Sequence, residues 1–253
     1  MRFTATADTD VGIVKATNQD SVLIKHAETP EGEILMAIMC DGMGGLSKGE
    51  LASAHVIRAF DRWFENELPE LAYTVPLQSI ANNWTEFLHV LNREIMGYLT
   101  DPNESMGTTF TGMLFIGDEY LIMHVGDSRA YYIGSTLDIL TKDQTFVARE
   151  VERGNMTPEQ ARIDRRRSIL LQCVGASRNM TPDIIIGKTR RGAYMLCSDG
   201  FRHEISPAEI YGSLNPINLL NKDAMHNNVR YLIDLNKKRR ERDNISVILI
   251  KAE

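Results

Sequence analysis

Aspartates fall where apolar runs end. Ile34-Leu35-Met36-Ala37-Ile38-Met39-Cys40 runs into Asp41-Gly42-Met43-Gly44-Gly45. Tyr120 to Val125 runs into Gly126-Asp127-Ser128-Arg129, and Tyr194 to Ser198 into Asp199-Gly200-Phe201. Arg242-Asp243-Asn244 opens the last apolar run. An ionised carboxylate beside a buried strand is costly unless it is paired or bound to a cation. One such Asp is explained as a turn residue, because Asp-Gly is a good turn dipeptide. Asp41, Asp127, Asp199 and Asp243 together fit a convergent acidic cluster, which repels itself and does not stay fully ionised without a metal. Ligands that are all oxygen favour hard ions, magnesium or manganese. Gly42 can bring its carbonyl close to an ion because no side chain obstructs it.

The elements that must position these residues are short. Strand signals lie at Val22 to Ile24, Ile34 to Cys40, Thr109 to Ile116, Tyr120 to Val125, Ala130 to Ile133, Ile184 to Ile186, Ala193 to Cys197 and Ile245 to Ile250. They are separated by brief turns, which predicts antiparallel meanders rather than repeated βαβ units. A helix is expected from Ser47, with Glu50 three residues on as a capping box, carrying Ala52, Val56, Ala59, Phe60 and Trp63 inward. A second begins near Pro76 and buries Ile80, Trp84, Phe87, Leu88, Leu91, Ile95 and Tyr98. The polar, Arg-rich stretch from Gln144 to Cys173 reads as an external helical insertion, with a capping box at Thr157-Pro158-Glu159-Gln160. A last helix runs from about Asp223 to Lys238. Strands and helices in separated runs give an α+β sandwich in which helices cover sheets.

The chain has 253 residues, with Lys plus Arg at 28 against Asp plus Glu at 34. A net charge of −6 lacks the basic footprint of a nucleic-acid binder or a polybasic membrane-surface protein. The basic runs Arg165-Arg166-Arg167 and Lys237-Lys238-Arg239-Arg240 read as solvated faces. Cys40, Cys173 and Cys197 are too few and too far apart for a disulfide framework or a zinc cluster. The amino terminus has no apolar signal region. The longest apolar run falls far short of the ~20 residues that cross a bilayer. The expectation is a reduced, soluble, cytoplasmic monomer with no nucleic-acid or membrane partner. The glycines after Asp41 fail the P-loop spacing, since no Gly-Lys-Ser/Thr follows them. His124, inside a strand, reads as a packed core residue.

In its order of motifs the chain resembles the metal-dependent protein phosphatases of type 2C, in their compact bacterial form. The resemblance begins at Thr9-Asp10-Val11-Gly12 and Asn18-Gln19-Asp20-Ser21. It continues through Asp41-Gly42-Met43-Gly44-Gly45, Gly126-Asp127-Ser128-Arg129, Leu140-Thr141-Lys142-Asp143-Gln144, Ser198-Asp199-Gly200 and Asp243-Asn244-Ile245-Ser246. It implies a four-layer α-β-β-α sandwich of two mainly antiparallel sheets, one catalytic domain over 1–253, with a small flap insertion at about 144–192. It implies hydrolysis of phosphoserine and phosphothreonine in proteins, the substrates of a Ser/Thr kinase, by a water bridged between two Mn2+ or Mg2+ ions. By that resemblance Asp41 bridges the two ions, the Gly42 carbonyl serves one, and Asp199 and Asp243 complete the other. Asp127 shares a third, weaker ion with Asp199. Asp41, Asp199 and Asp243 are thus the catalytic residues, and Gln19, Asp20 and Asn244 support them from behind.

The chain also departs from that pattern. Lys15 stands where the family has a phosphate-binding Arg, which keeps the charge but loses the planar fork. Gln19 replaces a Glu that holds a metal-bound water. Asp164-Arg165 stands where relatives often have His-Pro in the flap, and Met43 where eukaryotic members have His. Lys15 and Gln19 raise the alternative of a catalytically weakened relative that captures phosphoproteins as a scaffold. A two-metal nuclease shares the metal chemistry, and the acidic charge and motif order speak against it.

Overall fold

A strand covered on both faces needs apolar side chains at every position, so the unbroken runs predict sheets sandwiched between other layers. The computed structural model describes residues 1–43, 48–98 and 106–253 and has that arrangement. The amino-terminal part comprises β1 (Phe3–Asp10), β2 (Ser21–Thr29), β3 (Gly32–Cys40), β4 (Gly42–Met43), α1 (Gly49–Asn66), α2 (Leu68–Leu71) and α3 (Leu77–Gly97). The middle of the chain forms β5 (Gly107–Thr108), β6 (Phe110–Ile116), β7 (Glu119–Val125), β8 (Arg129–Ile133), β9 (Leu137–Ile139), α4 (Phe146–Glu152) and α5 (Pro158–Ile163). The rest forms β10 (Asp183–Lys188), β11 (Gly192–Cys197), α6 (Asp199–Arg202), α7 (Pro207–Leu214), α8 (Lys222–Lys238) and β12 (Ile245–Ala252).

One sheet has the order β1-β12-β11-β8-β9 and the other β10-β7-β6-β3-β2, while β4 and β5 pair separately. All neighbours run antiparallel. Alternation along β3 divides its side chains between two cores. Ile34, Met36, Ile38 and Cys40 pack against α1 and α3, while Leu35, Ala37 and Met39 meet the facing sheet. On the far side, Met195, Cys197, Val247 and Leu249 pack under α7 and α8. Three apolar clusters therefore separate four layers, α-β-β-α. The outer core under α1 and α3 is aromatic: the rings of Phe60 and Trp84 meet edge to face at 5.1 Å and those of Trp63 and Trp84 at 5.5 Å.

Helix boundaries differ from the sequence reading in physical detail. The first helix is described from Gly49, after Lys48, and the expected cap Ser47 lies outside the described residues. Pro76 precedes α3 with an extended ψ rather than occupying its first turn. The last helix is capped by Asn221, whose side chain accepts the Ala224 N–H, and Asp223 lies inside the first turn. The Arg-rich segment holds only two short helices. The expected box at Thr157 and Gln160 forms in both directions. Within the stretch expected as flap, Asp183–Lys188 is an edge strand paired with β7, so the part lying off the sheets ends before it.

Candidate metal centre

Antiparallel pairing decides where the strand ends go. Cys40 is opposite Ser21, Val125 opposite Phe110, Cys197 opposite Arg129 and Val247, and Asp10 opposite Ile245. The last residues of β1, β3, β7 and β11 therefore meet the first residues of β2, β6, β8 and β12 at one end of the sandwich. A cavity of about 190 Å³ opens there, lined by Asp41, Gly42, Asp127, Asp199, Asp243 and Lys15 among others. The expected ligand positions thus line one cavity, drawn from four strand ends.

Thr108 and Thr109 fix the Asp41 main chain. Its N–H donates to Thr109 Oγ1 at 2.9 Å, and its carbonyl accepts from the Thr109 N–H at 2.9 Å and Thr108 Oγ1 at 3.0 Å. The Gly42 N–H donates to the Gln19 carbonyl at 3.1 Å. A Cβ on Gly42 would stand 2.4 Å from both the Gln19 and Gly49 carbonyl oxygens, so only glycine fits. Asn244 ties the opening loop to the last strand. Its Oδ1 accepts the Gln19 N–H at 2.9 Å, and its Nδ2 donates to the carbonyls of Val11 at 3.0 Å and Thr17 at 3.2 Å. Gln19 Nε2 reaches Glu50 Oε2 at 3.3 Å. Lys15 Nζ pairs with Asp243 Oδ1 at 2.7 Å, with both side chains partly exposed. Partial burial works against the Lys15 charge, but the hydrogen bond and charge of Asp243 outweigh it and raise its pKa.

The electrostatics of the cluster are those of acids forced together. Burial, then the charges of Asp20, Asp199, Asp127 and Asp243, push the Asp41 carboxyl well above the usual carboxylate range. Burial pushes Asp127 up to about 7, helped by Asp199 and opposed by Arg202. Asp20 is likewise raised to about 7 by burial, although the Ser246 and Ser198 hydroxyls favour its charged form. Those hydroxyls do not complete hydrogen bonds to it: both Asp20 oxygens are buried without a partner.

Other groups at this end were not assigned from sequence. Glu241 is buried, accepts the N–H groups of Arg242 at 2.7 Å and Asp243 at 2.8 Å, and faces His203 Nδ1 at 3.4 Å. His203 Nε2 lies 3.4 Å from Asp199 Oδ2. Asp143 takes Arg129 in a two-pronged pair at 2.6 and 2.8 Å and Arg202 at 3.2 Å, while Arg202 also donates to the Asp127 carbonyl at 2.9 Å. Asp143 and Arg129 lie in the quoted motifs, which were the available signal. Glu241, Arg202 and His203 gain their roles only through contacts between distant segments. His124 is fully buried, with Nδ1 2.9 Å from Thr111 Oγ1 and Nε2 3.1 Å from the Lys142 carbonyl, a core residue as expected.

Among the described residues, no three His, Cys, Asp or Glu side chains close on one point so as to hold an ion as they stand. The donor set nevertheless fits a hard divalent cation. It is entirely oxygen, its acids are crowded enough to raise the Asp41 carboxyl, and two orphaned carboxylate oxygens of Asp20 lie buried behind it.

Residues 13–245 match the family model for protein phosphatase 2C. The chain belongs to the protein phosphatase 2C family. It is 34% identical over 212 residues to the serine/threonine protein phosphatase PstP of Mycobacterium tuberculosis, covering 82% of this chain and 38% of that protein. The chain thus spans well under half the length of that relative. Among solved structures, it superposes on serine/threonine phosphatase Stp1 of Staphylococcus aureus with a TM-score of 0.85 at 28% identity, covering 100% of this chain and 96% of the other. The catalytic domain of PstP in complex with two manganese ions gives a TM-score of 0.77 at 29% identity, covering 98% and 97%. The four-layer architecture expected from the sequence is the fold of this family. Nothing in the comparisons favours the scaffold alternative.

Proposed function

We propose that this phosphatase 2C family member hydrolyses phosphoserine and phosphothreonine esters in proteins with Mn2+ or Mg2+ bound at the acidic end of the sandwich. The observation that carries the reading is the convergence of Asp41, Asp127, Asp199, Asp243 and Gly42 on one cavity whose wall also holds Lys15. Asp41, the Gly42 carbonyl, Asp199 and Asp243 would hold the two core ions, and Asp127 with Asp199 would hold a weaker third. When bound, such ions would lower the pKa of a water enough to supply hydroxide near neutral pH and would offset charge on the phosphoryl oxygens.

The protein's own groups do the positioning. Lys15 Nζ is the cation that receives the phosphoryl oxygens. Asn244 holds the loop bearing Lys15 and Gln19 against the last strand. Thr108 and Thr109 fix the Asp41 backbone. A cysteine nucleophile is not part of this reading. Burial pushes the Cys40 thiol far up and the Cys197 thiol to about 12, so neither supplies thiolate at neutral pH.

The substrates are products of Ser/Thr kinases, and the cytoplasm is the compartment that fits three free, buried cysteines. No helix among the described residues is long and apolar enough to cross a membrane. The test is phosphate release from peptides differing only in phosphoserine, phosphothreonine or phosphotyrosine, with manganese and then with excess chelator. Release from the first two, abolished by chelator, is expected. Manganese-independent release, or none from either, contradicts the reading.

A further inference from the structure

The Arg-rich turn of the flap reads in the sequence as a solvated face, yet its placement ties it to the cavity. Ser168 and Leu170 line the cavity, directly after Arg165-Arg166-Arg167. The segment is pinned to the turn that carries Asp127. The Leu171 N–H donates to the Gln144 carbonyl at 2.8 Å and the Phe146 N–H to the Ile169 carbonyl at 2.8 Å. Gln144 in turn exchanges bonds with Gly126, N–H to carbonyl at 2.7 Å and Oε1 from the Gly126 N–H at 2.8 Å. The Arg-rich turn is therefore held in register with the acidic site.

Charges within the flap are unevenly committed. Asp164 is taken by Arg166, whose Nε and Nη2 donate to it at 3.0 and 2.8 Å, and the Arg166 guanidinium also lies 4.5 Å from the centre of the Phe146 ring. Glu150 is taken by Asn155 and Arg153, and Glu152 by Lys142. Arg162, Arg165 and Arg167 are exposed and make no ion pair among the described residues. The Arg167 Nη1 donates to the Arg162 carbonyl at 3.2 Å, which holds the Arg167 guanidinium against the end of α5 that carries Arg162. In a chain of net charge −6, uncommitted cations beside an acidic cavity answer a specific need: an anionic substrate must approach carboxylates that repel it.

We propose that Arg162, Arg165 and Arg167 form a docking lip for acidic groups flanking the phosphorylated residue, so that this chain selects phosphopeptides with neighbouring carboxylates or second phosphates. The proposal rests on the phosphatase reading and deepens it to a substrate class. An extended peptide advances about 3.3–3.6 Å per residue. With its phosphoresidue in the cavity, side chains a few residues along come within reach of the lip. Exposed ion pairs are individually weak, so the lip acts on KM and encounter rather than on the chemical step.

The test uses phosphothreonine peptides flanked by Asp, by a second phosphothreonine, by Ala or by Lys, against the wild-type chain and the triple variant Arg162→Gln, Arg165→Gln, Arg167→Gln. Wild type is expected to favour either acidic flank over Ala by roughly 3- to 30-fold in kcat/KM, with the gain in KM and reduced by salt. The variant should lose that preference while hydrolysing para-nitrophenyl phosphate as wild type does. The Asp and second-phosphate arms distinguish the two sources of negative charge. Peptide affinity read by fluorescence anisotropy with chelator present reports the preference even without turnover, so failure of the phosphatase reading is separable from failure of the lip. Equal affinity for all flanks, or a preference that survives in the variant, overturns the proposal. So does a triple variant that loses RNA oligonucleotide binding while its peptide preference is unchanged.

Discussion

Lys15 stands where the type 2C resemblance implies a phosphate-binding Arg. Its ammonium sits 2.7 Å from Asp243, with no second prong to share between that carboxylate and a phosphate. Lys15→Arg should lower KM for a phosphothreonine peptide several-fold while changing kcat less. An unchanged KM would show that Lys15 takes no part in phosphate binding. Gly42 makes a second prediction at this scale. A methyl group there meets two carbonyl oxygens at 2.4 Å, and neither can move without breaking the loop that carries Gln19 or the start of α1. Gly42→Ala should destabilise by about 1–3 kcal/mol, lowering Tm by roughly 2–4 °C per kcal/mol in a chain of this size, and should abolish activity. Wild-type Tm and activity in that variant would contradict the packing described.

Strands buried on both faces stand out at the scale of elements, because the positions of β3, β6, β7, β11 and β12 between their ends are almost all apolar or small. The strand β1 did not. Its sequence FTATADTD is half-exposed at a sheet edge, paired only with β12, so its apolar signal is diluted. The helix α7 is short and carries a weak apolar pattern, although the capping box of Ser206 and Glu209 that begins it is present in the sequence. Asp41, Asp127, Asp199 and Asp243 were legible because each ends or opens an apolar run. Glu241 and Arg202 were not, because their partners lie in other segments.

His124 links an element to a measurable pH dependence. Burial holds its pKa below the usual 6.5, against the opposing charges of Asp143 and Asp183. At this site the unfolded chain therefore protonates first as pH falls, so the contribution of His124 to stability is full above about 6.5 and is lost below it. A His124→Gln variant should show a shallower loss of Tm in that window than wild type. Parallel profiles would contradict a buried neutral imidazole.

Across the whole molecule, the acidic end is a site whose stability was traded for binding. Raised carboxyl pKa values mean that the unfolded chain ionises first as pH rises above 3.8. Their contribution to metal-free stability should therefore fall from there towards about 7, the value reached by Asp20 and Asp127, and beyond it for Asp41. A cation that binds only the folded chain restores it, by about 2.7 kcal/mol at a hundredfold excess over Kd. At pH 7.5, Asp41→Asn should raise the Tm of the metal-free protein and remove most of the manganese-induced shift. A variant less stable without metal, yet shifted by manganese as wild type is, would contradict the cluster as a cation site.

The most direct measurement is the rate of para-nitrophenyl phosphate hydrolysis across a manganese titration, for wild type and Asp199→Asn side by side, followed by excess chelator. The account predicts saturable manganese-dependent turnover in wild type, its loss on chelation, and turnover reduced by orders of magnitude in the variant. No turnover at any manganese or magnesium concentration, or equal rates in the two proteins, would contradict it.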